Sequence, residues 1–315
     1  MPIKQLTVVI IFLLLSPFVN SKTAQQLLID DLYYLADQQL AGRKTGSQSA
    51  ELTRSYIKHR LSQVNNNVVE QPFCYKSGLF SQACGINIIS SNIGALEAVT
   101  QASDPLQKAT RIIITAHYDH LGKRGGKLHP GANDNATGVA ALIYLASVFN
   151  NKPLPFSLTF VATDAEENGL HGSKYFAKTL LPNSVIMNIN LDMLGVKKRR
   201  SNLYVLTSRS LKNTLNSVFL AVENNNVNLK PVYSAAQMSR YIKSKNINWH
   251  KASDHYSFAR QKIPYVYFGM GYDSAHHTSN DTAENINSKL FTDAVLLIEA
   301  FINQLAKTPL PLSPS

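Results

Sequence analysis

Apolar and polar positions along the chain follow two patterns in alternation. Short runs rich in β-branched residues, each long enough for one buried strand, are separated by stretches in which apolar residues recur at helical spacing. The runs predict strands at Ile86–Ser90, Arg111–Ala116, Ser157–Thr163, Val185–Leu191, Leu203–Leu206 and Pro264–Phe268, and the stretches predict helices near residues 24–40, 46–64, 136–149, 170–180, 210–224 and 288–306. This alternation is typical of an α/β fold with a mostly parallel central sheet and helices on both faces.

The N-terminal end of the chain has a different pattern. Lys4 is followed by an almost wholly apolar run from Leu6 to Leu15, then by Ser16-Pro17 and the small residue Ser21. This is the layout of a secretory signal peptide, so we predict a signal over residues 1–21 that is cleaved near Ser21. The apolar run is short for a membrane span, although an uncleaved anchor is the alternative. After cleavage we expect no stable insertion in a membrane.

Composition and charge limit the classes of protein to consider. With 315 residues, of which 44% are hydrophobic and 16% charged, the chain can form one sizeable core, which we expect over residues 22–308. The Pro/Ser-rich segment 309–315 is expected to be a flexible tail. The net charge of +11 favours an anionic partner, but the basic residues are scattered apart from the run Lys197–Arg200. Since no nucleic-acid motif accompanies them, we expect no nucleic-acid partner.

The chain has two cysteines, Cys74 and Cys84. Export would expose both thiols to an oxidising compartment, where nearby thiols usually pair. We therefore predict a small loop closed by a disulfide, with two free thiols as the alternative. The spacing excludes a redox or metal site of the CxxC type.

Residue types that bind metals follow four of the predicted strands. Ligands of open α/β sheets bind beyond the carboxyl ends of the strands, so side chains at these ends should meet. The four strands lead to His117 and Asp119, to Glu166 and Glu167, to Asp192, and to His276 and His277. The sequence therefore predicts a metal site at one edge of the sheet.

Neighbouring residues at these strand ends suggest different tasks. His117 and Asp119 are two residues apart, so the carboxylate can orient the imidazole. The adjacent carboxylates of Glu166 and Glu167 face different directions on a turn, which lets one bind a metal while the other faces water. Their alternative interpretation is a pair of acids in the first turn of a helix, which the helix dipole favours.

Five separated motifs occur in the order of a known family. They are His-x-Asp, Gly-x-x-Asp-x-x-x-Gly, Glu-Glu-x-Gly-x-x-Gly-Ser, Leu-Asp-Met and His-Thr-x-x-Asp-Thr. From Ala41-Gly42-Arg43 to a helix ending near Ala306, the chain resembles the di-zinc aminopeptidases, whose wider group includes glutamate carboxypeptidases and glutaminyl cyclases. The resemblance implies a metallopeptidase domain over residues 22–308 that hydrolyses the N-terminal residues of small peptides.

The resemblance also implies roles for individual residues. Two zinc ions are implied, for which cobalt or manganese could substitute. His117 and Asp192 would hold one ion, Glu167 and His277 the other, and Asp134 would bridge both; Glu166 would be the general base, with Asp119 as a further catalytic residue. The sequence alone does not separate His277 from its neighbour His276. Asp254 and His255 would have a substrate-side or supporting role, and a cis peptide is implied at Asp134–Asn135.

Two other functions remain open at the level of sequence. A glutaminyl cyclase, which is an acyltransferase, shares the scaffold and resembles the stretch Asp281–Asn285, whereas the loop Gly131–Gly138 is more similar to peptidases. A catalytically inactive binding domain is the other alternative, although every implied ligand is present. The residues do not reveal whether a peptide amine or carboxylate is recognised. The glycosylation sequons at Asn135 and Asn280 lie beside implied ligands, where a glycan would obstruct the site, so we expect bacterial export to the periplasm or the medium.

Overall fold

The computed structural model describes residues 22–65, 67–92, 111–181, 184–197, 201–243 and 247–309. The predicted signal peptide, residues 198–200 of the basic run and the predicted tail from residue 310 lie outside the described residues. Among the helices that are described, none has both the length and the apolar character needed to cross a bilayer.

The described residues form strands and helices in alternation. The strands are β1 (Val68–Lys76), β2 (Gln82–Asn92), β3 (Arg111–His117), β4 (Gly122–Arg124), β5 (Lys127–His129), β6 (Ser157–Thr163), β7 (Val185–Leu191), β8 (Ser201–Thr207), β9 (Val227–Val232) and β10 (Tyr265–Gly269). The α-helices are α1 (Ala24–Leu35), α2 (Gln48–Ser62), α3 (Thr137–Val148), α4 (His171–Lys178), α5 (Lys212–Leu220), α6 (Ala235–Ile242), α7 (His255–Arg260) and α8 (Ser288–Leu305).

Eight of the strands form one mixed sheet in the order β1-β2-β6-β3-β7-β10-β8-β9. The four central strands, β6, β3, β7 and β10, run parallel to one another. Strand β2 is antiparallel to β6, and β8 is antiparallel to β10. The predicted α/β class with a mostly parallel centre is therefore confirmed.

Helices cover both faces of this sheet. Successive side chains of a strand point to opposite faces, and those of β3 enter two different cores. Ile112 and Ile114 pack in the large core with α3 and α8, whereas Ile113 packs in a smaller core with Phe176 of α4 and Phe258 of α7. Because both faces are covered, the central strands are buried along almost their whole length, and their runs of apolar and β-branched residues explain why the sequence predicted them.

Several elements were not predicted from the sequence. Strand β1 is largely exposed and contains Pro72, and the edge strand β9 contains Pro231, so neither has a clear apolar pattern. The β4–β5 hairpin and the short helices α6 and α7 were also missed. The predicted helix over 24–40 ends earlier, at Leu35, and a single 3-10 turn at Gln38–Leu40 follows it.

The two cysteines form the predicted disulfide. Cys74 of β1 and Cys84 of β2 are directly paired across the antiparallel hairpin, and their sulfurs are 2.03 Å apart. Because β2 pairs with the end of β6 only from Ile88 onward, the disulfide lies beyond the carboxyl edge of the central strands.

Candidate metal centre

Four parallel strands end at the same edge of the sheet, and each leads to side chains of metal-binding type. His117 is the last residue of β3, and Asp192 directly follows β7. Glu166 and Glu167 lie in the turn after β6, and His277 lies in the loop after β10. These side chains converge on one edge of the sheet, as the strand-end argument predicts.

Two groups of side chains each surround a space suited to a metal ion, and Asp134 belongs to both. One group contains His117, Asp134 and Asp192, and the other contains His120, Asp134, Glu167 and His277. The Nε2 atom of His117 is 3.4 Å from Asp134 Oδ1 and 3.6 Å from Asp192 Oδ1. The Nε2 atom of His277 is 3.1 Å from Asp134 Oδ2 and 3.2 Å from Glu167 Oε2. Asp134 thus offers one carboxylate oxygen to each group.

The chemistry of both groups fits zinc. Ligand atoms about 2.0–2.2 Å from a tetrahedral zinc ion are about 3.3–3.6 Å apart, close to the separations given above. Buried polar atoms normally have hydrogen-bond partners, yet Asp192 Oδ1 and Glu167 Oε1 have none among the described residues. A cation between the ligands would satisfy both oxygens and offset the repulsion among three buried carboxylates.

The loop that carries Asp134 is fixed by a second aspartate. Gly131 begins the loop in the left-handed region at φ 66°, and the peptide between Asp134 and Asn135 is cis, as the resemblance implied. Asp281 accepts hydrogen bonds from the backbone N–H groups of Asn133 at 2.7 Å and Asp134 at 3.0 Å. The His-Thr-x-x-Asp-Thr motif therefore supplies His277 to the site and Asp281 to this loop.

Asp119 acts mainly through the backbone. Its carboxylate accepts the N–H groups of Glu166 at 3.0 Å and Glu167 at 3.2 Å, which fixes the turn from which both glutamates project. The Nδ1 atom of His117 lies 3.2 Å from the carbonyl oxygen of Asp119 but 3.8 Å from its carboxylate. The imidazole is therefore oriented by the carbonyl rather than by the carboxylate that the sequence suggested, and Asp119 is a positioning residue.

Glu166 belongs to neither group of ligands, although it is adjacent to Glu167. Burial raises the pKa of the Glu166 carboxyl well above its usual range, the charge of His117 opposes this shift, and the carboxylates of Glu167 and Asp254 add to it. A raised pKa makes the carboxylate a stronger proton acceptor.

Protons and a metal ion would compete for the same atoms. The carboxylates of Asp134 and Glu167 raise the pKa of the His277 imidazole to about 10. Burial disfavours the charged form of Asp134, but hydrogen bonds from His117, His276 and His277 hold the pKa of its carboxyl well below its usual range. A metal ion binds the deprotonated forms of these groups, so its binding should release protons.

A buried arginine supports the site without entering it. Arg43 donates hydrogen bonds to the carbonyl oxygens of Leu35, Tyr118, Pro130 and Gly131, and burial lowers the pKa of its guanidinium to about 10. Because these donors are directed at carbonyls, Arg43 links three backbone segments, which contain Leu35, Tyr118 and Pro130-Gly131.

The two supporting residues implied by the resemblance lie outside both groups. Asp254 is fully buried and accepts a hydrogen bond from Thr163, the last residue of β6. His255 is also fully buried, and its Nε2 atom is 3.1 Å from the carbonyl oxygen of Trp249. Asp254 is close enough to Glu166 to influence its carboxyl electrostatically, whereas His255 packs against Tyr265 and Tyr267.

The sequence analysis did not assign two of the histidines near the site, His276 and His120. His276 stacks on His277, and its Nε2 atom is 3.2 Å from Asp134 Oδ2, but it belongs to neither group. His120 was missed altogether, although it belongs to the group of Glu167 and His277. Its position three residues after His117, in the same strand-end segment, was a signal that could have indicated it.

Comparisons with known proteins identify the family of this chain. Residues 97–302 match the model of peptidase family M28. The aminopeptidase YwaD of Bacillus subtilis is 28% identical over 206 residues, which cover 62% of this chain and 41% of that protein. The chain spans less than half the length of the first curated relatives that it matches.

Solved structures share the fold at lower identity. The aminopeptidase from Aneurinibacillus sp. strain AM-1 superposes with a TM-score of 0.69 at 18% identity, covering 92% of this chain and 96% of that one. The glutaminyl cyclase of Tannerella forsythia superposes with a TM-score of 0.62 at 18% identity, covering 87% and 97%. The family match extends over about two thirds of the sequence and includes every residue of both ligand groups. The chain therefore belongs to peptidase family M28.

Proposed function

We propose that this protein is an exported di-zinc aminopeptidase that removes N-terminal residues from small peptides. The observation that carries the proposal is the pair of ligand groups that share Asp134 through its two carboxylate oxygens, next to Glu166. His117, Asp134 and Asp192 would hold one zinc ion, and Asp134, Glu167 and His277 the other. Cobalt or manganese could substitute, because the ligands are imidazoles and carboxylates.

Bound zinc would polarise the scissile carbonyl and lower the pKa of a water molecule. Glu166 takes a proton from the attacking water and delivers it to the departing amine, because an amine leaves poorly unless it is protonated. Asp119 keeps Glu166 in position through the backbone of the turn. The buried setting of Glu166 favours proton exchange, since its neutral form is stabilised there.

Recognition of a peptide amine is supported by the relatives, which include aminopeptidases. Export is supported by the signal-like N-terminus and by the disulfide, because disulfides persist in oxidising compartments. A glutaminyl cyclase shares the fold, so the two activities have to be distinguished by assays with different peptide substrates.

The test compares the two adjacent glutamates. Glu166→Gln keeps the shape of the side chain but cannot accept a proton, so we expect both metals to stay bound and kcat to fall about 10²–10⁴-fold. Glu167→Ala removes a ligand, so the metal content should fall together with activity. Metal analysis and kinetics on free and N-blocked dipeptides measure both effects, and Glu223→Gln, at an exposed glutamate, is the control that should match the wild type.

Each part of the proposal can fail separately. Near wild-type turnover by Glu166→Gln with both metals bound would eliminate Glu166 as the general base. Hydrolysis of N-blocked but not of free peptides would refute the aminopeptidase assignment. Formation of pyroglutamate from peptides with N-terminal Gln, without hydrolysis, would identify a cyclase instead.

A further inference from the structure

His120 is a buried histidine whose ring is held against the metal centre. It follows the end of β3, is 2% exposed, and its backbone N–H donates to the carbonyl of Arg43. A Cβ atom at Gly131 would come within 2.5 Å of the His120 ring. A glycine in this left-handed position therefore leaves the space that the imidazole occupies.

Two carboxylate oxygens of the site lie close to the Nδ1 atom of the His120 ring. Its Nδ1 atom lies 2.8 Å from Glu167 Oε1 and 3.7 Å from Asp134 Oδ2. Despite the short distance, neither His120 Nδ1 nor Glu167 Oε1 has a well-directed hydrogen bond among the described residues. A buried imidazole nitrogen this close to a carboxylate oxygen either pairs with it directly or shares a cation with it, and the other nitrogen of the His120 ring is also without a hydrogen-bond partner among the described residues.

The second ligand group therefore has one member more than the first. The ligand atoms of His120, Asp134, Glu167 and His277 all lie within 4.8 Å of one another. Four nitrogen and oxygen ligands can close a tetrahedral zinc site, whereas three leave a position open. The group of His117, Asp134 and Asp192 has three.

We propose that His120 is a direct metal ligand, and that it makes one site closed and tight while the other stays open and exchanges its ion more easily. This inference rests on the proposed function only in that it needs two bound ions. It predicts two unequal zinc affinities and assigns the weaker one to the group of His117 and Asp192. The alternative is that His120 supports Glu167 from outside the coordination sphere.

Metal binding by the purified mature protein separates these alternatives. Metal-free protein is titrated with zinc against a chelating dye, and we expect two phases. His120→Gln should weaken the tighter phase at least about 100-fold, which is the upper limit typical of outer-sphere residues, and leave the weaker phase unchanged. His129→Gln, at a partly buried histidine of β5 outside both groups, is the matched control.

X-ray absorption of the zinc-loaded proteins counts the imidazoles directly. The wild type should show three imidazole ligands shared by two ions, and His120→Gln should show two. His120→Asn is the second variant, because its amide can still donate to Glu167 if the glutamine variant does not fold. An unchanged imidazole count, with or without a loss of affinity, would overturn the inference. A wild type that binds no zinc would instead refute the proposed function.

Discussion

Two buried aspartates at the site, Asp119 and Asp281, carry the same functional group as the proposed ligands but contact the backbone instead. Both oxygens of Asp119 accept N–H groups of the turn at Glu166, and both oxygens of Asp281 accept N–H groups of the loop at Asp134. A carboxylate occupied in this way orients the backbone and leaves its neighbours free to bind a metal. What separates a ligand from a positioning residue here is whether backbone amides already occupy its oxygens.

His255 shows how burial alone can make a residue sensitive to pH. The ring lies against Tyr265 and Tyr267, and burial lowers its pKa from 6.5 to about 3. The folded protein therefore keeps His255 neutral in a range where the unfolded chain binds a proton. The contribution of neutral His255 to the free energy of unfolding is therefore complete above about pH 6.5. It decreases as the pH falls towards about 3, because the unfolded chain gains a proton that the folded chain does not bind.

We predict that His255→Gln makes stability less sensitive to acid. One proton taken up on unfolding changes the free energy by about 1.4 kcal/mol per pH unit, so the wild type should lose about 2 kcal/mol more than the variant between about pH 7 and pH 5. Urea denaturation at the two pH values measures this difference. His59→Gln, at an exposed position of α2, should behave as the wild type does. Equal pH dependence of wild type and His255→Gln would mean that His255 titrates normally.

At the scale of elements, the loop before α3 depends on a single side chain, Asp281, which is far away in the sequence but in direct contact with the loop. Asp281→Ala would leave the buried N–H groups of Asn133 and Asp134 without an acceptor, at a cost of about 1–3 kcal/mol each. We also expect zinc affinity to fall about 10–100-fold, because Asp134 would lose its orientation. Asp281→Asn keeps one oxygen acceptor, so its stability and zinc affinity should lie between those of the wild type and those of Asp281→Ala.

Urea denaturation and zinc titration measure both effects of Asp281→Ala. Asp293→Ala is the control, because Asp293 lies on α8, where it pairs with Lys289 and Asn226 away from the site. If Asp281→Ala were as stable as the wild type and bound zinc with the same affinity, the loop would keep its conformation without Asp281.

The elements that could be predicted are those whose environment leaves a pattern in the sequence. The strands before His117, Asp164 and Asp192 are buried along almost their whole length and rich in apolar and β-branched residues, and each leads to a charged or polar residue. Strands β1 and β9 are partly exposed and interrupted by prolines, so the same criterion misses them. In the site, side-chain type and position at the strand ends indicated His117, Glu167, Asp192 and the pair His276 and His277, whereas Asp134 and the choice of His277 came from the family resemblance. The role of Asp281 depends on a contact between distant segments, which a linear pattern does not contain.

At the scale of the whole molecule, the proposed metal centre joins segments that are far apart in the sequence. Asp134 precedes α3, Asp192 follows β7, and His277 comes after β10, so the two ligand groups connect the ends of the central strands. Without a cation, the three carboxylates of these groups repel one another in a buried space. The sheet edge should therefore be the part of the molecule whose stability depends most on metal.

We predict that zinc stabilises the folded chain and that this effect needs Asp134. A ligand that binds only the folded state adds about 2.7 kcal/mol for each site when its free concentration is one hundred times the dissociation constant. Urea denaturation of the metal-free protein, with and without zinc, should therefore show a higher midpoint with zinc and an unchanged slope. Asp134→Ala removes the residue shared by both groups, so zinc should raise its midpoint much less than that of the wild type. Since protons compete for His277 and its neighbours, the zinc effect should also shrink as the pH is lowered. Equal midpoints with and without zinc in the wild type would show that the ligand groups do not hold metal.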